Sequence, residues 1–151
     1  MNKYILLLFL IILFPLGCDD SIDGMNDAQN QVDSFLLEIN PTLYRTMLEI
    51  KAEIVLVDTK INQLYELKGM FPGQRKMLDK SLKQWQNLRK DLHFTSTNTS
   101  NQVEAAYVAY KIDEIQGRKK FSIISETLLK EANQVLDNAE TTKSLIGTFY
   151  E

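Results

Sequence analysis

Residues 43–64 read LYRTMLEIKAEIVLVDTKINQL. Within them Leu43, Met47, Ile50, Ile54, Val57, Ile61 and Leu64 step by four and three without a fault. An apolar residue every 3.5 positions puts one continuous stripe on one side of a helix, the pattern of a coiled-coil-like seam. The same stretch has no Gly or Pro to interrupt it. Pro41 stands where a helix begins and Gly69 where one ends, predicting a helix over 42–68 closed by a glycine C-cap. Phe71-Pro72-Gly73 reads as the tight connection after it.

Outward from this seam the pattern predicts more helices. Met25, Gln29, Val32, Leu36 and Ile39, widened by Phe35, mark a first helix over 25–39. It ends at Asn40-Pro41, because a residue before proline is pushed out of the helical region. Leu78, Leu82, Trp85, Leu88 and Leu92 mark a third over 73–94, with Gln74, Arg75, Lys76, Lys80, Lys83, Arg89 and Lys90 on its outer face. Thr95–Ser100 carries only hydroxyl and amide side chains and reads as a polar loop. Asn101 and Glu104 have the spacing of a capping box. They start a fourth helix over 102–146, lined by Val103, Tyr107, Tyr110, Phe121, Ile124, Leu128, Val135 and Leu136, with Gly117 as its bend. The expected fold is all-α: an up-and-down bundle of three to four long helices with coiled-coil-like packing. The seam can pair within the chain or across a homodimer.

Composition agrees with a globular domain. The 151 residues are 44% hydrophobic and 25% charged, with a net charge of −3. There is no general basic surface of the kind that binds nucleic acid. A single cysteine excludes disulfides within one chain. A single histidine, His93, is too few for the paired Glu-x-x-His ligands of di-iron bundles, and reads as a solvent-facing residue near a helix C-terminus. No metal site or cofactor is expected. No Gly-x-Ser-x-Gly elbow, P-loop or dinucleotide turn occurs. Carboxylates such as Asp113, Glu114, Glu126 and Glu131 read as solvated helix faces, so no catalytic residue is assigned.

The first residues are a different material. Met1-Asn2-Lys3 carries one positive charge, and Tyr4–Leu16 runs YILLLFLIILFPL. Thirteen residues make about 20 Å of helix, short of the roughly 30 Å hydrocarbon core, so a secretory h-region is the expectation. Polarity returns abruptly at Gly17-Cys18-Asp19-Asp20. Pro15-Leu16-Gly17-Cys18 resembles the lipobox of bacterial lipoprotein precursors, in which a small residue precedes a cysteine. The resemblance covers only about the first twenty residues. It implies cleavage after Gly17 and acylation of Cys18, with Asp19 as a sorting signal for inner-membrane retention. Cleavage would leave 134 residues and remove Lys3, moving the net charge from −3 to −4. The expected organisation is a signal peptide over 1–17, an acylated cysteine and tether over 18–24, and one helical domain over 25–151.

These features predict a non-enzymatic, lipid-anchored module of the bacterial cell envelope, facing periplasm or exterior. It would bind an envelope protein partner as a secretion or surface-machine accessory, an immunity or exclusion lipoprotein, or a scaffold. The alternatives are a small-ligand carrier, with a slot near Gly117 lined by Tyr107, Tyr110 and Phe121, and, behind it, an envelope enzyme. Arg118-Lys119-Lys120 and the basic 74–90 face read as solvated surface first and as headgroup contacts second.

Overall fold

The computed structural model describes residues 20–147, with side-chain surroundings for 27–144. Four α-helices follow one another: α1 (Asp20–Ile39), α2 (Pro41–Met70), α3 (Arg75–Ile112) and α4 (Glu114–Gly147), with one 3₁₀ turn at Pro72–Gln74. Among the described residues there is no strand, and only Asn40, Phe71 and Asp113 lie outside helices. The fold is an all-α helical bundle. By contacts the chain divides into two compact units, Met1–Ser34 and Phe35–Glu151.

The described part of the first unit is the early length of α1. It starts at Asp20, so residues 20–24 are helical. Gln29 Nε2 donates to Asp33 Oδ1 at 2.8 Å, and the Ser34 hydroxyl donates to the Asn30 carbonyl at 2.8 Å. Both are one-turn contacts on an outer face; Gln29 is exposed and Val32 half-buried.

The second unit is built on α3. Thirty-eight residues make a helix about 57 Å long. Its buried stripe runs Leu78, Leu82, Trp85, Leu88, Leu92, Thr99, Val103 and Ala106 without losing phase. The expected loop at 95–100 is therefore a correction: those residues are helical. Their weak helix propensity costs only tenths of a kcal/mol each. That is outweighed by burial of Leu92 and Val103 on either side, at about 1.5–3 kcal/mol per large apolar side chain. His93 accordingly sits in mid-helix, exposed, and not near a C-terminus.

Helix α2 is antiparallel to α3. Lys68 pairs with Asp79, Tyr65 Oη accepts from Gln86 Nε2 at 3.0 Å, and Arg89 pairs with Asp58. Six of the seven seam residues are buried: Leu43, Met47, Ile50, Val57, Ile61 and Leu64. Ile54 is half-buried. The seam is thus used inside one chain. Helix α2 continues through Gly69 to Met70, and no described glycine has positive φ, so Gly69 is not the C-cap expected of it.

Helix α4 returns along α3 and also meets α2. Its inner face is Phe121, Ser125, Leu128, Ala132, Val135 and Ala139. The alternating alanines let neighbouring backbones approach. Ile124 and Leu136, expected in the core, are half-buried at its margin. Lys143 Nζ reaches Glu53 Oε2 at 3.1 Å and also pairs with Glu140. Burial pulls the Lys143 pKa down, but the bonds to Glu140 and Glu53 outweigh it, and the net shift is upward from 10.5. The Glu53 side chain is 12% exposed, and its Oε1 has no partner.

Two consequences are measurable. The Thr99 hydroxyl is fully buried and unpartnered. Thr99→Val should raise unfolding free energy by about 1 kcal/mol in urea titration, because it removes a desolvated hydroxyl at constant shape. Lys143→Met should cost about 1–2 kcal/mol near neutrality by stranding Glu53. A pKa raised on folding contributes stability that is complete below the unfolded value and lost as pH rises through the folded one. The gap between wild type and Lys143→Met should therefore be constant near pH 7 and shrink above the ordinary lysine value of 10.5.

Candidate functional site

The α3–α4 connection is one residue, Asp113, in extended conformation (φ −145°, ψ 106°). Its N–H donates to the Ala109 carbonyl at 2.9 Å, finishing α3. Its Oδ1 accepts the Gln116 N–H at 3.1 Å, starting α4 as an N-cap. Asn40 does the same between α1 and α2, with φ −142° and ψ 80°, its Oδ1 accepting the Leu43 N–H at 2.9 Å. At Asn40 the chain jogs and continues along α3. At Asp113 it reverses.

Reversal in one residue forces α3 and α4 into backbone contact. A Cβ on Gly117 would lie 2.2 Å from Tyr110 Cα and 2.4 Å from Tyr110 N. Gly117 is buried in the first turn of α4, its N–H donating to the Asp113 carbonyl at 2.8 Å. It is a contact point, not the bend expected of it.

Around this contact the aromatic side chains close the bundle. The Phe35 ring lies 5.4 Å from Tyr107, 5.0 Å from Tyr110 and 5.5 Å from Phe121 between centroids. Phe121 is fully buried and Phe35 nearly so. The slot that Tyr107, Tyr110 and Phe121 would have offered a small ligand is filled by Phe35. Sequence reasoning placed Phe35 only on the edge of a stripe; its partners became evident once α3 ran through to Ile112.

Cations frame the cluster. Arg118 Cζ sits 5.4 Å from the Tyr110 ring centre, and Lys111 Nζ 5.8 Å from that of Tyr107. Arg118 Nη2 donates to Glu38 Oε1 at 2.9 Å and its Nε to Glu114 Oε1 at 3.1 Å. These carboxylates, Glu38 first, raise the Arg118 pKa and hold the guanidinium charged. Lys119 and Lys120 are exposed. Outside them stand Ile112 and Ile115, 83% and 76% exposed. No periodicity marks these two, because their exposure follows from the turn at Asp113.

The far end of α3, roughly 50 Å away, has its own exposed apolar side chains in Met70, Phe71 and Met77. The basic outer face from Arg75 to Lys90 is exposed as expected. Along the outside of α4, Glu126, Lys130, Asn133 and Asp137 border a shallow open depression. Among the described residues no three His, Cys, Asp or Glu side chains group as a metal site would require. No described helix is long and apolar enough to cross a membrane. Cys18, Asp19 and the apolar run lie outside the described residues, as do the side chains of residues 145–150.

Protein-family models, curated proteins and solved structures were all compared with the chain, and none matches it.

Gly117→Ala should destabilise the bundle by about 1–3 kcal/mol through overpacking, although alanine is the better helix former by about 1 kcal/mol. Gly69→Ala is the control. Nothing lies within 4 Å of its added Cβ, so thermal denaturation should show no loss there.

Proposed function

We propose that this protein is a lipid-anchored, non-enzymatic interaction module of the bacterial cell envelope. The observation that carries the reading is the junction at Leu16-Gly17-Cys18-Asp19, where a short apolar run meets a lone cysteine and then two aspartates. Cleavage before Cys18 and acylation on it would fix the domain to a membrane surface. A diacylglycerol plus an amide-linked chain buries enough CH₂ groups, at about 0.8 kcal/mol each, for stable anchoring.

The described domain supports a binding role. Its aromatic end is filled by its own side chains, and exposed apolar residues stand at both ends of α3 as well as along the helices, among them Phe94, Ile123 and Val55. Such a surface recognises partners by contact, and tethering raises its effective concentration for anything else held on the same membrane. The partner is an envelope protein, which accommodates the roles of secretion accessory, immunity lipoprotein and scaffold.

The test is fractionation with in-cell cross-linking, wild type against Cys18→Ser. Wild type should carry an acylated N-terminal cysteine by mass, remain with membranes and capture one dominant envelope protein. Cys18→Ser should lose acylation and the captured partner together. Unchanged fractionation and capture in Cys18→Ser would overturn the anchor. Acylation without any captured protein would overturn the interaction role.

A further inference from the structure

We propose that the α3–α4 turn is a second membrane contact, dipping Ile112 and Ile115 into the headgroup region of an anionic bilayer while Lys111, Lys119 and Lys120 engage lipid phosphates. The proposal rests on the lipid-anchor reading and assigns which end of the domain faces the bilayer.

Three observations converge on it. Ile112 and Ile115 are more exposed than any other large hydrophobic side chain described. They stand on either side of Asp113, Ile112 as the last residue of α3 and Ile115 as the second of α4, and both are exposed. Two adjacent apolar side chains on a turn form a small wedge, of the kind that gains by leaving water for the acyl boundary.

The second observation is charge. Between Tyr107 and Lys120 stand four cations and two carboxylates, in a chain whose net charge is −3. Arg118 is paired with Glu38 and Glu114, which offset its charge within the fold. Lys119 and Lys120 remain on the exposed side of the first turns of α4. A locally cationic apex on an acidic protein is complementary to an anionic leaflet, as is the basic face of α3 from Arg75 to Lys90, but the apex alone joins such charge to the two most exposed isoleucines.

The third is chain entry. The second unit begins at Phe35. Phe35 packs on Tyr107, Tyr110 and Phe121, beside the apex and not at the Met70–Met77 end. The second unit therefore begins at the end that carries the isoleucines.

The single cysteine makes a direct test possible. In the acylated protein the Cys18 sulfur is a thioether and takes no maleimide, so Ile115→Cys introduces the one free thiol. The mature Ile115→Cys protein, purified from membranes, is labelled with an environment-sensitive fluorophore and reconstituted in phosphatidylcholine vesicles with or without phosphatidylglycerol. Ser100→Cys, exposed in mid-α3, is labelled as the control. The expected result is a blue shift at position 115 in phosphatidylglycerol vesicles, weakened by high salt and lost with Lys119→Glu and Lys120→Glu. Position 100 should report water throughout. A label at 115 that also reports water overturns the contact, as does a shift that tracks protein concentration without vesicles, which would mean pairing between copies. Labelling of wild type itself would show a free Cys18 thiol and sink the anchor reading separately. The Ile115→Cys label in a Cys18→Ser background then still reports on the apex.

Discussion

The unbroken apolar stripe of α3 is the constraint from which the domain follows. Both α2 and α4 bury their faces against it, and α1 delivers Phe35 to its end. A helix of this length would not persist on propensity alone through Thr95-Ser96-Thr97-Asn98-Thr99-Ser100. It persists because Leu92, Thr99, Val103 and Ala106 stay in phase and are covered from two sides. Tertiary burial decides the local conformation there.

How much of this was legible follows from which signals are local. Periodicity alone specifies the seam from Leu43 to Leu64, and six of its seven residues are buried. The bundle class followed. The helix boundaries did not, and the error has a physical source. Hydroxyl and amide side chains compete for backbone hydrogen bonds in the unfolded chain, so a cluster of them looks like a loop. The same competition makes Asp and Asn good caps, and the chain carries two cap signals of nearly equal quality. Asn101 with Glu104 has the spacing of a capping box, but Asp113 with Gln116 is the cap that the chain uses. What separates them is phase. A break at Asn101 would throw Val103 and Ala106 out of register, whereas a break at Asp113 falls where the stripe has already ended.

The site was legible only in pieces. Cys18 stands out by its setting in the sequence and lies outside the described residues. Tyr107, Tyr110 and Phe121 were grouped correctly but as the wall of a slot, since nothing local says that Phe35 fills it. Gly117 was singled out for the wrong property. Its value is absent volume beside Tyr110, which is a fact about a neighbour rather than about its own backbone. Ile112 and Ile115 break every amphipathic pattern, and a reading built on periodicity passes over them.

The pairing of Glu53 with Lys143 orders events in time. Contacts around Tyr110 and Gly117 join residues seven apart and close at almost no entropic cost, so the α3–α4 hairpin can assemble as soon as both segments exist. Glu53 and Lys143 are ninety apart, and their bond ties α2 to the last turns of α4. Loop closure grows only slowly with length, but a partner that has not yet been delivered cannot be paired at all. Until the last turns of α4 are made, the carboxylate of Glu53 has no lysine there to pair with. The tie between α2 and α4 is thus a long-range contact laid over a locally closed α3–α4 hairpin.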